Sequence, residues 1–450
     1  MAGEDSGTVG SERRSRMSAV PPVAVPRSWQ TARLRWLLSV LESGRREVDD
    51  ADSFEGGVLS VGGEHIGWQG QWLLNNPRYV SREYYARMST GIIQQNDVLL
   101  VKDGATIGKV AIADRLPAPE SAVNEHVFLL RFAPAHCAKF YFYYIQSTLA
   151  QDQIQLEIRG SAQPGLSAGF RNTVIAPLPP SSEQRAIAAF LDRETQRIDA
   201  LVEKKERLVK LLQEQRTALI SHAVTKGLDP NVRTKESGIE WFGEIPAHWG
   251  VLPLKRLATR IDVGIAEAAT HAYSDAGIPM VRSTNVKPGF IDVADMLCIE
   301  PWFAEKNRSK YLRTGDLVTV RTGNPGTTAV VPSALDKSQC FTLLMTTLKM
   351  CHSPEYYCYV LNSQVAIEML EIEGWGAAQV NISVPILQSL CIPKPPSEEQ
   401  SAIVAYLNRE TRRIDAMVEK VRRSVELLKE YRTALISAAV TGKIDVRGAA

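Results

Sequence analysis

Two long stretches of the chain place hydrophobic side chains every three or four residues, the spacing of a helix that packs along one face. Alternating steps of four and three residues from Ile187 and from Ile403 select two such rows, with a few polar interruptions. These predicted seam positions are Ile187, Leu191, Ile198, Leu201, Leu208, Leu212 and Leu219, and Ile403, Leu407, Ile414, Met417, Val421, Leu428 and Leu435. The pattern predicts two helices, each about 60 Å long, that bury each other's seam as a coiled coil.

Start and stop signals bound both helices. Each stretch opens with Pro-Ser-x-x-Gln, and a Ser followed three residues later by Gln is typical of a capping box. These pairs are Ser181 with Gln184 and Ser397 with Gln400. The first glycines downstream, Gly227 and Gly442, are expected C-terminal stops. An ordinary surface helix is the alternative, but helices of about 40 residues lie far out in the length distribution.

A large internal repeat relates the two stretches. The segment PSSEQRAIAAFLDRETQRIDALVEK from Pro180 returns 216 residues later, from Pro396, as PSEEQSAIVAYLNRETRRIDAMVEK. About two-thirds of some 45 aligned positions are identical. Weaker matches at a similar offset join PRSWQ from Pro26 to PAHWG from Pro246. This period is too long for a solenoid, so the chain consists of two similar halves whose helices are alike and whose globular parts differ.

Each globular half mixes short strands with helices. The runs DVLLV, KVAIA and VFLLRF in the first half, and DLVTV and TTAVV in the second, are strand-like and are punctuated by glycine, which indicates an α+β class. The predicted segments are a flexible tail over 1–25, a domain over 26–180, a helix over 181–227, a linker over 228–245, a domain over 246–396, a helix over 397–442 and a tail over 443–450.

Composition narrows the class of protein. The 44% hydrophobic and 23% charged residues are ordinary for a globular protein, and no apolar run approaches the roughly 18 residues that span a bilayer. Residues 1–16 lack the apolar core of a secretory signal, so we expect a cytoplasmic protein with no membrane partner. The net charge of +2 is low for a protein that grips DNA alone. A DNA reader this neutral needs partners that supply further positive charge.

Familiar catalytic and metal motifs are broken or missing in the sequence. Residues 104–109 have three residues between the glycines instead of four, and Val110 stands where a phosphate loop needs Ser or Thr. Residues 75–79 differ from the Asn-Pro-Pro-Tyr of adenine methyltransferases at Arg78, and no glycine-rich turn for a methyl donor is nearby. The six cysteines form no C-x-x-C pair, and the seven histidines form no H-x-x-x-H pair. We therefore predict no catalytic residue and no metal site.

The whole arrangement closely resembles the specificity (S) subunits of type I restriction-modification systems. The resemblance rests on two divergent domains, each entered by Pro-x-x-Trp and each left through Pro-Pro-Ser-x-Glu-Gln into a helix with Arg-Glu-Thr-x-Arg-Ile-Asp. It extends over nearly everything from Pro26 to Thr441, and RTALISHAVT and RTALISAAVT close the two helices.

The resemblance implies that each domain is a target-recognition domain that reads one part of a bipartite site in double-stranded DNA. The helices would form an antiparallel coiled coil with pseudo-twofold symmetry that sets the spacer between the two parts. Two modification (methyltransferase) subunits would dock on the helices, and restriction (helicase-nuclease) subunits would complete the complex. This chain would need no cofactor, while S-adenosylmethionine, ATP and magnesium would bind to the partner subunits.

Side chains able to pair with base edges are the candidate DNA contacts, chosen because Arg, Lys, Asn, Gln and His carry suitable donors or acceptors. They lie in glycine-rich hairpins and at equivalent places of the two halves: Lys102, Lys109, Gln163, His65, Arg321, Asn324, Gln379, Arg282 and Asn285. Each of them would serve equally well as a solvated or fold-supporting loop residue.

Two further functions stay open from the sequence. A self-contained DNA methyltransferase or nuclease built from scattered acidic residues is one, and a DNA-binding relative that works outside a restriction-modification complex is the other. An assay of methyl transfer by the purified chain, alone and with modification subunits, distinguishes the enzyme from the recognition subunit.

Overall fold

The computed structural model describes residues 24–45, 57–160, 164–267, 269–373 and 381–446. The predicted tail over 1–25 lies outside this range except for its last two residues. The chain divides into two compact units. The first unit contains the described residues up to Lys205 together with those from Arg423 onward, and the second unit is Glu206–Arg422. Both boundaries fall inside the long helices, so each unit includes part of each long helix.

The first unit holds the N-terminal globular domain. Its strands are β1 (Gln30–Arg33), β2 (Leu38–Ser43), β3 (Val58–Val61), β4 (Arg78–Val80), β5 (Val98–Val101), β6 (Val110–Ile112), β7 (Ser121–Val123), β8 (Val127–Phe132), β9 (Ile158–Arg159), β10 (Gly165–Leu166) and β11 (Ile175–Leu178). Its helices are α1 (Arg82–Arg87), α2 (Ala138–Gln146) and α3 (Thr148–Glu157), followed by the long α4 (Ser181–Lys226). Short 3-10 turns lie at Leu34–Trp36, Gly63–His65, Gly104–Thr106 and Ala168–Asn172.

The second unit holds the other globular domain. Its strands are β12 (Thr234–Glu236), β13 (Glu244–Pro246), β14 (Gly250–Pro253), β15 (Ala258–Val263), β16 (Tyr273–Ser274), β17 (Ile278–Val281), β18 (Val286–Lys287), β19 (Phe290–Ile291), β20 (Leu297–Ile299), β21 (Leu317–Thr319), β22 (Thr328–Val330), β23 (Gln339–Cys340), β24 (Leu344–Leu348) and β25 (Cys391–Lys394). Its helices are α5 (Leu254–Leu257), α6 (Pro301–Lys306), α7 (Pro354–Leu361), α8 (Gln364–Glu373) and α9 (Val384–Ser389), followed by α10 (Ser397–Val440). Short 3-10 turns lie at Thr270–Ala272, Arg308–Lys310 and Ser333–Leu335.

A four-stranded antiparallel sheet in the order β2-β8-β5-β6 forms the centre of the first domain. Strand β5 is buried along its whole length because alternate side chains enter different clusters. Val98 and Leu100 join the cluster that contains the aromatic helix α2, whereas Leu99 and Val101 join the cluster around β3. Strand β3 pairs with β4 and, in parallel, with β7 in a second sheet.

The second domain repeats this topology. Its central sheet has the order β15-β24-β21-β22, and the register of its first strand shifts between Ala258 and Arg260, just as β2 shifts between Leu38 and Val40. Strands β17 and β23 form the parallel pair that corresponds to β3 and β7. The entry and exit segments also pair in both domains, as β1 with β11 and β14 with β25. The predicted α+β class is confirmed.

The long helices pair antiparallel. In the first unit, Ile187 and Leu191 near the start of α4 share a core with Ile436 and other residues at the end of α10. Further along α4, the buried side chains of Ile198 and Val202 pack with Val425, which lies earlier in α10. In the second unit, the end of α4 at Ile220, Ala223 and Val224 shares a core with the start of α10 at Ile403 and Leu407. Each unit therefore contains an antiparallel helix pair.

Part of the predicted seam is wrong. The side chains of Leu201, Leu208 and Met417 are 40%, 43% and 37% exposed. The buried positions next to them are Val202 and Val418 instead. From Leu191 and Leu407 onward, every second predicted position is retained, and the positions between them are displaced by one residue toward the C-terminus. The predicted positions that are buried are Ile187, Leu191, Ile198, Ile403, Leu407 and Ile414, and those that are partly buried are Leu212, Leu219, Val421, Leu428 and Leu435.

The capping-box interpretation is also wrong, because the buried glutamines bond outside the helix. Gln184 Nε2 donates to the carbonyl of Pro179 at 2.9 Å, and its Oε1 accepts from the amide of Cys137 at 2.8 Å. Gln400 repeats these bonds with Pro395 and Ser353, each at 2.9 Å. Each glutamine therefore ties the start of a long helix to its own globular domain.

Glycine ends both long helices, as the sequence predicts. Gly227 and Gly442 have φ angles of 76° and 71°, in the left-handed region that favours glycine. The amide of Gly227 donates to Ala223, and the amide of Lys443 donates to Ala438. Among the described residues, no helix is both long and apolar enough to cross a membrane.

Candidate nucleic-acid interface and helix junctions

The Pro-x-x-Trp segments join each domain to the helices. The indole Nε1 of Trp29 donates to Glu183 Oε2 at 3.1 Å, in the first turn of α4. A Cβ added to Gly442 would lie 2.5 Å from Pro26 Cγ and 3.1 Å from Trp29. This close approach requires glycine at the end of α10. In the first unit, the segment thus holds the start of one long helix and the end of the other.

The second unit repeats this junction. Trp249 Nε1 donates to Glu399 Oε2 at 2.8 Å, and a Cβ on Gly227 would lie 3.2 Å from Trp249. His248 adds a bond from its Nε2 to Glu399 Oε1 at 2.6 Å. The motif that marks the start of each half in the sequence therefore holds the globular domain against the long helices.

Two equivalent ion pairs fix the register of the helices. Arg432 Nε donates to Asp199 Oδ1 at 2.9 Å in the first unit. Arg216 Nε donates to Asp415 Oδ1 at 2.9 Å in the second unit. Asp415 and Arg432 lie 216 residues after Asp199 and Arg216, so each pair is the repeat-related copy of the other. The helices therefore pair in the same register in both units.

The surroundings of these two arginines differ. Arg432 is almost fully buried. Its Nη2 also donates to the backbone carbonyl of Gln69, at 3.2 Å, so the loop of Gln69 lies against it. The loop that carries Gln69 belongs to the first domain and is closed by a bond from the amide of Gly67 to the carbonyl of Gln71. In the second unit, Arg216 lines an open groove of about 480 Å³.

A buried carboxylate anchors the central sheet of each domain. Asp97, directly before β5, accepts two hydrogen bonds from Arg131 on β8, and this bonding to Asp97 raises the pKa of Arg131. Asp316, directly before β21, accepts from Arg260 on β15 at 3.1 Å. The acid occupies the same place in both domains, while the arginine comes from different strands.

The lysine candidates lie at the loops around β5 and β6. Lys102 Nζ is 3.4 Å from Asp103 Oδ2 and 5.2 Å from the centroid of the Phe128 ring. Lys109 is largely buried, and its Nζ lies 5.8 Å from the centroid of the exposed Trp68 ring. Both ammonium groups are thus held by neighbouring side chains, and neither extends freely into solvent.

Two of the candidates are fold-supporting residues. His65 is buried, and its Nδ1 accepts from the amide of Gly62 while its Nε2 bonds to the carbonyl of Asn76. Asn285 is buried as well, accepts from the amide of Arg282 and donates to the carbonyl of Asp292. These bonds occupy both polar ends of each side chain, so the expectation that either residue contacts a base is corrected.

The remaining candidates of the second domain lie in two loops. Arg282 Nη2 donates to the carbonyl of Asp295 at 3.2 Å, and Arg321 Nε donates to the carbonyl of Ile382 at 3.1 Å. Asn324 is exposed in the loop between β21 and β22. Gln163 and Gln379 lie outside the described residues.

Exposed aromatic side chains are not among the contacts that the sequence predicts. Trp68 is in the loop of Gln69, between Gly67 and Gly70, and Phe290 is in the β18–β19 hairpin of the second domain. A large aromatic residue between glycines is a usable sequence signal, because such loops hold a ring away from the core. Within the described residues, no group of three or more His, Cys, Asp or Glu is arranged to hold a metal.

Comparison with known proteins agrees with this geometry. Residues 26–210 match the family described as type I restriction modification DNA specificity domain. The MjaVIII specificity subunit of Methanocaldococcus jannaschii is 23% identical over 364 residues, which are 79% of this chain and 81% of the relative. The EcoKI specificity subunit of Escherichia coli K12 is 23% identical over 68% of this chain and 66% of its own length.

The chain is similar to the specificity subunits of type I restriction enzymes over most of its length.

Two solved structures share the fold of this chain. A chain from work on complex assembly and conformational transition of the type I restriction-modification system has a TM-score of 0.69 at 18% identity, over 93% of this chain and 99% of that chain. The HsdS subunit of Thermoanaerobacter tengcongensis has a TM-score of 0.52 at 18% identity, over 93% of this chain and 98% of its own. The fold of two α+β domains with two long helices is thus that of specificity subunits.

Proposed function

We propose that this chain is the non-catalytic recognition subunit of a type I restriction-modification complex, in which each domain reads one part of a split DNA sequence. The observation that carries the proposal is the repetition of one topology with different loop residues. The sheets, the helix junctions and the ion pairs recur in both units, whereas Lys102 corresponds to Arg321 and Lys109 corresponds to Thr327 in the second domain. Constant parts serve a shared task, and divergent loops serve two different half-sites.

The repeated helices are the proposed scaffold. Equivalent surfaces on two helices in the same register offer two equivalent positions, which fits two modification subunits, with restriction subunits joining afterwards. In this proposal, the partner subunits bind the cofactors of such a complex, which are S-adenosylmethionine, ATP and magnesium. The proposed compartment is the cytoplasm, where the DNA is reached.

The charge balance supports dependence on partners. A net charge of +2 on 450 residues gives little phosphate neutralisation, and the affinity of a protein for DNA rises with the number of phosphates that its Lys and Arg neutralise. We expect weak, salt-sensitive binding of DNA by the isolated chain and tight binding by the assembled complex.

Co-expression tests the proposal. The chain is produced alone and with a candidate modification subunit from the same genome, and methylated positions are mapped in the host DNA. We expect methylation at a split motif only when both proteins are present. Methyl transfer or cleavage by the purified chain alone would instead establish the alternative, a self-contained enzyme.

A further inference from the structure

An open pocket of about 400 Å³ lies beside the start of helix α2 in the first unit. Its lining includes three cationic side chains from three elements, Arg131 on β8, Lys139 on α2 and Arg185 on α4. No acidic residue is among the described residues that line it. The pocket wall is therefore rich in hydrogen-bond donors and carries no carboxylate.

Two of these cations are paired with carboxylates that lie outside the lining. Arg131 donates to Asp97 from Nε and Nη2, and its Nη1 has no partner in the described part of the chain. Lys139 Nζ lies 3.0 Å from Asp114 Oδ2 and 2.8 Å from Asp192 Oδ2, and an ammonium group has a third proton to donate. Both cations thus keep a donor for a further acceptor.

Arg185 is the cation without a counter-charge. It is exposed in the first turns of α4, and its Nη1 donates to the hydroxyl of Ser181 at 2.7 Å. Within the residues that the structure describes, it forms no ion pair. Most of the donors of this guanidinium group remain available to a molecule in the pocket.

The start of α2 also lacks the usual helix cap. Cys137 stands at the N-cap and accepts no side-chain bond, where Ser, Thr, Asp or Asn is preferred. The amides of Ala138 and Lys139, two residues of the pocket lining, have no acceptor among the described residues. Lys139 moreover places a positive charge in the first turn, where the helix dipole favours a negative one. An anion in the pocket would accept from these amides and offset this charge.

The repeat-related start of α7 in the second unit is satisfied from within the chain. Ser353 caps the helix with its hydroxyl, Pro354 has no amide proton, and Glu355 supplies a carboxylate in the first turn. These residues lie 216 positions after their counterparts at the start of α2. Thr347 and Ser401 stand 216 positions after the two remaining cations. The donor-rich pocket is thus a feature of the first unit that the repeat itself does not require.

A phosphate group is the anion that matches these donors. They come from a strand and from two helices, and the tetrahedral oxygens of phosphate accept from several directions, whereas a carboxylate accepts in one plane. The volume lies in the range of about 300–1,000 Å³ that is typical of small-molecule sites, so it admits more than a phosphate ion. Phe132 and His136 in the lining can contact the organic part of a phosphate ester.

We propose that this pocket binds the phosphate group of a phosphate ester, which accepts from the amides of Ala138 and Lys139 and from the side chains of Arg131, Lys139 and Arg185. A free nucleotide and the backbone of DNA both carry such a group, and the experiment below distinguishes them. The site does not depend on the recognition function proposed above, because binding of a free phosphate compound by the chain is sufficient to establish it.

Two variants of the full chain separate the site from the fold. Ala138→Pro removes one amide donor, and proline is favoured in the first turn of a helix. Cys137 already has the extended backbone, with φ of −80° and ψ of 103°, that precedes proline. Arg185→Ser introduces the residue of the second unit. Each variant should weaken the binding of adenosine monophosphate about tenfold and leave thermal unfolding in phosphate-free buffer unchanged.

Arg197→Ser is the matched control. This arginine lies on α4 as well, its side chain is 76% exposed, and it does not line the pocket. Isothermal titration with inorganic phosphate and with adenosine monophosphate measures the site in all four proteins. The affinity for a DNA duplex is measured in parallel with the complex of chain and modification subunit, at matched ionic strength.

The outcomes identify the source of the phosphate. Weaker binding of adenosine monophosphate in Ala138→Pro and Arg185→Ser, with unchanged DNA affinity, supports a nucleotide site. Weaker binding of every duplex in these two variants, independent of sequence, supports a contact with the DNA backbone. The proposal is overturned if the original chain binds neither phosphate compound and the variants leave DNA affinity unchanged. Equal binding of adenosine monophosphate by the original chain and both variants would overturn it as well, unless DNA affinity falls in both.

Discussion

At the scale of single residues, the buried glutamines at the helix starts have the largest structural effect. Gln400 donates to the buried carbonyl of Pro395 and accepts from the partly buried amide of Ser353, and neither backbone group has another hydrogen bond in the described part of the chain. A buried group left unpaired costs about 1–3 kcal/mol. We therefore expect Gln400→Ala to lower the free energy of unfolding by about 2 kcal/mol, measured by urea denaturation. Ser401→Ala, an exposed change one residue further on, is the control, and an equal effect of both would contradict this role.

Two repeat-related histidines predict a pH dependence. Burial lowers the pKa of His136 and of His352, and Lys394 and Lys349 lower that of His352 further. Because the folded state resists protonation, their contribution to stability is complete above the unfolded pKa, about 6.5, and is lost as the pH falls below it. We expect the urea midpoint to fall from pH 7 to pH 5, and less steeply in the double variant His136→Gln, His352→Gln. His222→Gln, at an exposed position, should keep the slope of the original chain.

The roles of the loop residues could not be predicted from the sequence. His65 has the chemistry of a base-reading residue, and its neighbours in the sequence are glycine-rich, as in a binding loop. Both ring nitrogens are hydrogen-bonded, Nδ1 to the amide of Gly62 and Nε2 to the carbonyl of Asn76. The bond to Asn76 depends on the fold of the loop that carries it. The partners of the two buried glutamines, Cys137 and Ser353, lie 47 residues earlier in the chain, and the local Ser-x-x-Gln pattern carries no information about them.

At the scale of elements, the seam shows why the presence of a helix is easier to predict than which of its faces is buried. Leu201 is followed by Val202 and Leu208 by Val209, so both phases of the pattern are apolar at these steps. The phase is decided by polar residues with specific partners, such as Thr195, whose hydroxyl bonds to the carbonyl of Leu191 and to Tyr143. Their partners are invisible in a hydrophobicity pattern. The helix bounds, which depend on proline and glycine, could be read from the sequence.

The corrected seam makes a direct prediction. Val202→Ala should lower the free energy of unfolding by about 1–2 kcal/mol, because it removes buried methyl groups that pack with Val425. Leu201→Ala removes more atoms but should cost less than about 0.5 kcal/mol, since the side chain is exposed. Thermal unfolding of the two variants distinguishes a seam through Val202 from the predicted seam through Leu201. A larger loss of stability for Leu201→Ala than for Val202→Ala would support the predicted seam.

The two ion pairs should differ in strength although their geometry is the same. Asp199→Ala leaves the buried Arg432 without its carboxylate, and we expect a loss of about 2 kcal/mol. Asp415→Ala leaves Arg216 in an open groove, where water replaces the carboxylate, and we expect less than about 1 kcal/mol. Urea denaturation at low and at 0.5 M salt measures both, and only the Asp415 effect should shrink with salt. Equal losses would show that the Gln69 loop does not shield Arg432.

At the scale of the whole molecule, the repeat indicated two related domains, and the resemblance of the helix motifs indicated the family. The order of strands was not accessible, because it depends on long-range pairings such as β2 with β8, about 90 residues apart, and β3 with β7 in parallel. Short runs such as DVLLV locate a strand but carry no information on its neighbours. The recurrence of one sheet order, one register shift and one helix junction in both units shows that the similarity extends from the helices into the domains.

The common register of the ion pairs leads to a prediction about the proposed spacer. A seven-residue insertion keeps the seam in phase and adds about 10 Å to a helix, which is about three base pairs of DNA. Because α4 and α10 pair antiparallel, both must be lengthened at equivalent points, after Glu206 and after Arg422, to keep Asp199 with Arg432 and Asp415 with Arg216. Under the proposed function, this double insertion should widen the non-specific spacer of the methylated motif by about three base pairs and leave both half-sites unchanged. Insertion in α4 alone should break one ion pair and lower the melting temperature. Methylation mapping of the host DNA reads the spacer directly, and an altered half-site with an unchanged spacer would show that these helices do not set the distance.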